Sequence, residues 1–294
     1  MSTDHERHEP WPEPADQRVL VMMLAGWIDA GAAAATAVAA LDTQLDAHTI
    51  VTFDPDTYID YRARRPVMEL RDGVNTRLVW PDLVLKYGTD RDGNDVLLLT
   101  GNEPDTAWRR FCTTVVGLAQ ELGVTKVVGL GAYPFGSPHT RPSRLSVSCS
   151  SADAAARVPF LKNSVDVPAG VAAALERAFG DAGIPAIGLW AQVPHYVANL
   201  PYPAASVALL DGLSRVAAVS VELGGLRADA AAHGARLDEL VAGNAEHQTM
   251  IGQLESGYDD EVRAASEPAP IKAGDIPSAD ELAAELERFL REQG

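Results

Sequence analysis

Cysteine is nearly absent from this chain. Cys112 and Cys149 are the only two among 294 residues. That is too few for a disulfide framework and fits a reducing compartment. Basic residues are also short, with 24 Lys and Arg against 41 Asp and Glu and a formal charge of −17. Such a surface repels phosphate backbones and anionic headgroups, so nucleic acid and membrane surfaces are not expected as partners. Three motifs are missing: a Walker loop, a G-x-S-x-G elbow and an H-E-x-x-H helix. With them go the usual triphosphate cradle, serine nucleophile and zinc site. No metal, no cofactor and no internal repeat is expected. The first residues, "MSTDHERHEPWPEPADQR", lack the basic and apolar regions of a signal peptide, and a cytoplasmic protein is the expectation. Residues 1–17 read as a disordered acidic tail, with His5 and His8 solvated.

What is present is apolar residue in quantity, at 47%, enough for a sizeable core. One run, "VLVMMLAGWIDAGAAAATAVAAL" over residues 19–41, is long enough to cross a bilayer. Asp29 in its middle makes that costly, and Gly26 and Gly31 bracket Asp29 like a turn. The expected structure is a strand over Val19 to Ala25, a tight turn and an Ala-rich helix to about Leu45.

Beyond this point strand-like and helical runs alternate. "HTIVTFD", "DVLLLTG", "KVVGLGAY", "LSVSCSS" and "PAIGLWAQV" read as strands. "PVMELRDG" and "NTRLVWPDLVLKYG" read as extended segments with a turn at Asp72-Gly73. "DTAWRRFCTTVVGLAQELG" and "VPAGVAAALERAFGDAG" read as helices that stop at Gly123 and Gly183. The pattern is α/β, with a mainly parallel sheet covered on both faces. It gives a core over 18–217 and a helical region over 218–294. In that region Leu237, Leu240, Asn244, His247, Ile251, Leu254 and Tyr258 form a coiled-coil-like seam, broken by glycines into a hairpin. A linker, "SEPAPIKAGDIPSA", and a last amphipathic helix follow. Residues 227–294 carry 15 acidic and six basic side chains, so the negative charge is concentrated there.

The candidate functional residues sit where strands end. In "LAGWIDAG", Trp27 and Asp29 follow the first strand, at the edge where open α/β sheets bind ligands. Asp29 is either an acid/base group or a cap on the next helix. In "LTGNEPDTAW", Asn102, Glu103 and Asp105 either surround a cation or, with Asp105, cap the helix bearing Trp108. "GLGAYPFG" starts like a dinucleotide fingerprint, but Pro134 and Phe135 stand where the helix should begin. "GAYPFGSPHTRP" crowds His139 and Arg141 among prolines, which serves either an anion site with His139 as proton shuttle or a rigid interface brace. "LWAQVPHYVANLPYP" adds Trp190, His195 and Tyr196, either as a pocket wall or as an interface. Cys149 reads as core.

Together "LAGWIDAG", "LTGNEPDTAW", "GLGAYPFGSPHTRP", "VPAGVAAALERAFGDAGIPAIGLWAQVPHYVA" and "PYPAASVALLDGLSRV" resemble the proteasome assembly chaperone 2 family in its actinobacterial form. "PHTRP" and "LWAQVPHYV" are the most specific parts. The resemblance implies a three-layer α/β/α sandwich of the phosphorylase/hydrolase-like kind and a homo-oligomer, with a trimer favoured. It also implies a protein-binding, chaperone-like role in which the proteasome is the candidate partner. Some archaeal relatives dock through a hydrophobic-Tyr-X tail, whereas this sequence ends "FLREQG". The expected binding residues, lining a pocket or an interface, are Trp27, Asp29, His139, Arg141, Trp190, His195 and Tyr196, with no catalytic residue among them. The alternative is a small-molecule hydrolase or phosphorylase built on Asp29, His139, Arg141 and His195. An ATP-dependent ligase is the weaker third reading.

Overall fold

The computed structural model describes residues 4–13, 15 and 17–266. In chain order the elements are β1 His5–Arg7, β2 Arg18–Ala25, α1 Ala33–Leu45, β3 His48–Phe53, α2 Pro55–Tyr58, β4 Val67–Arg71, β5 Val74–Val79, β6 Leu83–Thr89, β7 Asp95–Asn102 and α3 Trp108–Glu121. There follow β8 Val124–Phe135, β9 Leu145–Cys149, α4 Ala152–Ala156, β10 Leu161–Lys162, α5 Val171–Asp181, β11 Ala186–Pro194, α6 Pro203–Ala217, α7 Gly224–Ala242 and α8 Ala245–Ser266. Nine strands form one sheet in the order β1-β3-β6-β7-β2-β8-β11-β9-β10. The centre, β7-β2-β8-β11, is parallel. Both wings carry antiparallel pairs, β1-β3-β6-β7 on one side and β11-β9 on the other. The sheet is therefore mixed rather than mainly parallel: the β6–β7 hairpin returns antiparallel through a short turn, and β1, β3 and β9 join the edges by longer connections that sequence spacing does not orient.

Alternation along the central strands divides the core into two layers. Val19, Val21 and Met23 of β2 pack with α1 and α6, while Leu20, Met22 and Leu24 pack with α3 and α5. β7 does the same with Val96 and Leu98 against Leu97 and Leu99. Each strand carries apolar side chains on both faces, as a doubly covered sheet requires. Ala33, Ala34 and Ala37 are fully buried, and these small side chains let α1 lie close to the sheet and to α6. On the other face Phe111, Val115 and Leu118 of α3, and Val171, Leu175 and Phe179 of α5, repeat at helical spacing and are buried.

The apolar run over residues 19–41 is thus a strand, a turn and a helix. Among the described residues no helix is long and apolar enough to cross a membrane. Asp72 and Gly73 both take positive φ, which gives the two-residue hairpin turn between β4 and β5.

Two further expectations are corrected. Residues 4–8 do not form a solvated tail. β1 pairs with β3 in the register His5↔Phe53, and Asp4 accepts hydrogen bonds from Tyr58 (2.7 Å), Thr114 (2.9 Å) and Arg110 (3.0 Å). His8 Nε2 lies 2.8 Å from Thr52 Oγ1. Sparse apolar content disguised a strand that is held at a sheet edge by polar contacts. The coiled-coil seam is also not continuous. Leu237 and Ile251 are buried, but Leu240 is 69% exposed, and Asn244 caps α8 by accepting from the Glu246 amide at 2.8 Å. The final amphipathic helix and its linker lie outside the described residues.

Candidate functional site

The first candidate turn follows β2. Gly26 has φ +145°, and a Cβ there would lie 2.5 Å from Arg64 Nη2. The missing side chain makes room for Arg64, which donates to the Ala25 carbonyl (2.8 Å) and to Asp105 (3.0 Å). Trp27 is 51% exposed, and its Cβ lies beside Gly170 at the start of α5. Asp29 faces the other way. Its carboxylate accepts from the Ala34 amide at 2.8 Å and the Ala35 amide at 2.9 Å. Burial pushes its pKa up, and the helix amides pull against that rise. Asp29 is thus the cap of α1's first turn, the milder of the two readings.

The second stretch departs from expectation. Asp105 does not cap α3, since the residue before that helix is Ala107, in a left-handed conformation and without a side-chain cap. Asp105 instead accepts from the Asp60 amide at 2.9 Å and from Arg64. Glu103 accepts from the Val171 amide and so caps α5 from across the sheet. These carboxylates are committed to protein donors. Among the described residues no group of three or more His, Cys, Asp and Glu is placed to hold a metal.

The proline-rich loop is bound from two sides. β8 continues through Phe135, and the loop leaves its end. The His139 side chain is 1% exposed. Its backbone amide and its ring Nδ1 both meet the Tyr196 hydroxyl, at 2.8 and 2.7 Å, and Nε2 lies 3.2 Å from Asp238 of α7. A hydroxyl that accepts from the amide and donates to Nδ1 leaves the ring proton on Nε2, facing that carboxylate. Burial pushes the Tyr196 phenol well above its ordinary range.

Arg141 holds Asp259 with two hydrogen bonds, of 2.9 and 2.8 Å, and reaches Glu255 at 3.1 Å. The arginine in turn keeps the Asp259 carboxyl below its usual range. Thr140 donates to Glu255 (2.5 Å), Arg144 to Glu261 (2.7 Å), and Tyr258 to the Pro142 carbonyl (3.1 Å). The carboxylates that grip this loop come from the acidic helical region. Sequence reasoning singled out His139 and Arg141 but missed Asp238, Glu255 and Asp259. The local concentration of negative charge was the available signal.

The remaining candidates point elsewhere. His195 is exposed and meets Tyr196 edge-on, with 5.4 Å between ring centroids. Trp190 stands on the α5 side of the sheet over Gly131, where a Cβ would fall 2.5 Å from its ring. Its Nε1 donates to Ser148 (3.3 Å), which donates to Glu176 (2.6 Å). Burial raises the Glu176 carboxyl. Cys149 is partly buried against the α1–α6 core, and neither cysteine is paired. Asp29, Trp27, Trp190 and the His139–Tyr196–Arg141 group therefore occupy separate surroundings. Of the four groups in the alternative acid/base reading, Asp29 is engaged by the α1 amides, and His139 and Arg141 by side chains of the protein itself.

A two-sided α/β/α sandwich whose sheet-end loops are fixed by side chains defines the class. Within it, residues 23–241 match the model of the PAC2 family, and the chain belongs to that family. Among solved structures, a Corynebacterium glutamicum protein of unknown function is 32% identical, with a TM-score of 0.83 over 89% of this chain and 99% of that one. A Mycobacterium tuberculosis proteasome-assembly chaperone homologue is 37% identical, with a TM-score of 0.73 over 80% of this chain and 99% of its own. PbaB, an archaeal proteasome activator from Pyrococcus furiosus, shares the fold at 14% identity, with a TM-score of 0.60 over 80% and 97%. No curated protein matches the chain. The family match ends before α8 begins, so the helix that grips the "PHTRP" loop lies beyond the matched region.

Proposed function

We propose that this chain is a non-catalytic, protein-binding member of its family, with a chaperone-type role linked to the proteasome. The observation that carries the reading is how the family-specific loop is spent. His139, Thr140 and Arg141 all hold protein groups, so the prolines and these contacts fix one shape rather than present a free nucleophile or base. A rigid surface of this kind suits docking, where preorganisation limits the entropy lost on binding. The mycobacterial relative described as a proteasome-assembly chaperone homologue directs the choice of partner.

We infer further that the chain self-associates, with a trimer favoured. Val67, Met68, Leu70, Val74, Leu78 and Trp80 on or beside the β4–β5 hairpin are 40–65% exposed. A monomer seldom leaves such a group of apolar side chains in water. A cytoplasmic location accords with the two unpaired cysteines.

The test is co-elution of the purified chain with proteasome core particles from the same organism, followed by cross-linking mass spectrometry. The expected result is a complex with cross-links on the hairpin or on the sheet-end loops. A chain that elutes alone and gives no cross-link to any proteasome subunit counts against the reading.

A further inference from the structure

A cleft of about 770 Å³ opens where α6 and α7 meet the β9 edge and the loop leading into it. This size suits a small molecule. Four guanidinium groups line it, from Arg141, Arg144, Arg215 and Arg227, against one carboxylate, Asp211. Three of them are matched by carboxylates in or beside the cleft, Arg141 by Asp259 and Glu255, Arg144 by Glu261 and Arg227 by Asp211, which leaves Arg215 as the unmatched cation of the lining among the described residues.

The four arginines differ in what already holds them. Arg227 reaches both oxygens of Asp211, at 2.7 and 2.8 Å. Arg141 and Arg144 are drawn toward α8 by Asp259 and Glu261. Arg215 makes no ion pair among the described residues and lies over the Phe160 ring, 5.5 Å from its centroid. The wall beside it is apolar, formed by Phe160, Val207 and Ala208. A cation without a carboxylate partner, set next to an apolar wall, is half of a recognition pair.

We propose that this cleft binds a small anion carrying an apolar chain. The charged head is a phosphate or a carboxylate, either of which fits the planar fork of arginine. Arg215 holds the head, and the chain lies along Phe160 and Val207. The ligand is a free molecule rather than a membrane lipid, because the rest of the surface repels an anionic bilayer.

The test is isothermal titration of the full chain with octyl phosphate, inorganic phosphate and octanol, together with flotation on phosphatidic acid vesicles. Octyl phosphate is expected to bind once per chain. Inorganic phosphate and octanol are each expected to bind about tenfold more weakly or worse, since each lacks half of the recognition. Arg215→Gln should weaken octyl phosphate about tenfold or more. Ala208→Phe, which fills the apolar wall, should remove its binding while the thermal melt stays cooperative. The proposal is overturned if octyl phosphate gives no binding heat, if octanol binds as tightly, or if either variant binds octyl phosphate like the wild type. Capture by vesicles without binding of free octyl phosphate also overturns it.

Discussion

One phenol holds His139 twice: the Tyr196 hydroxyl meets both its backbone amide (2.8 Å) and its ring Nδ1 (2.7 Å). Tyr196 follows the last sheet strand and His139 follows β8, so the contact ties two sheet-end loops together. Tyr196→Phe removes the partner of a largely buried amide and ring nitrogen. It is expected to lower stability by about 1–3 kcal/mol, read from chemical denaturation. An unchanged midpoint would show that the Tyr196 hydroxyl contributes nothing to holding the loop.

The grip of α8 on the same loop depends on charge. Few α8 side chains are buried, Ile251 among them, while Arg141 and Arg144 bind Asp259, Glu255 and Glu261. Exposed ion pairs are screened by salt. Amide hydrogen exchange in α8 should therefore quicken between low and high ionic strength, with α3 and α5 unaffected. Asp259→Arg should quicken it at low salt, and the double variant Arg141→Asp/Asp259→Arg should recover part of the protection.

Glu176 gives a pH test with a defined sign. Burial raises its folded pKa above the unfolded value of about 4.5. The folded chain therefore binds this proton more tightly than the unfolded chain does. The associated stability is full below pH 4.5 and is lost as pH rises through the folded pKa. Glu176→Gln removes that loss and keeps an acceptor for Ser148. The variant should melt at or above the wild-type temperature at pH 7, and the difference between them should change in the wild type's favour toward pH 4.

Asp4 runs the other way. Burial pushes its carboxyl up, but hydrogen bonds from Tyr58, His5, Thr114 and Arg110 outweigh this and hold it well below the usual carboxylate range. Its stabilisation is present above the unfolded pKa of about 3.8 and is lost as pH falls through the folded value. Asp4→Ala should cost about 1–3 kcal/mol at pH 7 and free β1 from the sheet edge, measured by denaturation and by proteolysis of the first residues.

The hairpin supplies the assembly test. Leu70→Lys with Val74→Lys places charge on a turn-proximal surface that is already exposed, so folding should be unaffected. Light scattering after size-exclusion chromatography should report a trimer for the wild type and a smaller species for the variant. A wild-type monomer at all concentrations would remove this surface from consideration as a contact between copies.

Much of the fold was legible because burial on both faces leaves a local mark. The runs around Val21, Leu98 and Val128 are apolar throughout, and Gly123 and Gly183 mark helix ends with positive φ. The failures have equally local causes. Asp105 precedes a helix and looks like its cap, but Arg64 and the Asp60 amide compete for it and win. β1 was hidden because what fixes it, Asp4 on Tyr58 and Thr114, is contact across more than 50 residues of sequence. The loop at His139 and Arg141 stood out for its composition, yet nothing local told whether those side chains face a ligand, a partner or the chain's own helices.

The sequence by itself determined the two-layered apolar core, the alternation of the central strands with their helices, the turn at Asp72-Gly73 and the acidic surplus toward the carboxyl end. These follow from periodicity and composition, which act over a few residues at a time. Only the tertiary structure decided the antiparallel wings, the commitment of Asp29 and Glu103 to helix amides, and the capture of the "PHTRP" loop by carboxylates more than 90 residues away. Hydrogen bonds and ion pairs are settled by which donors and acceptors the packed core brings within 3 Å of one another, and no local pattern encodes that distance.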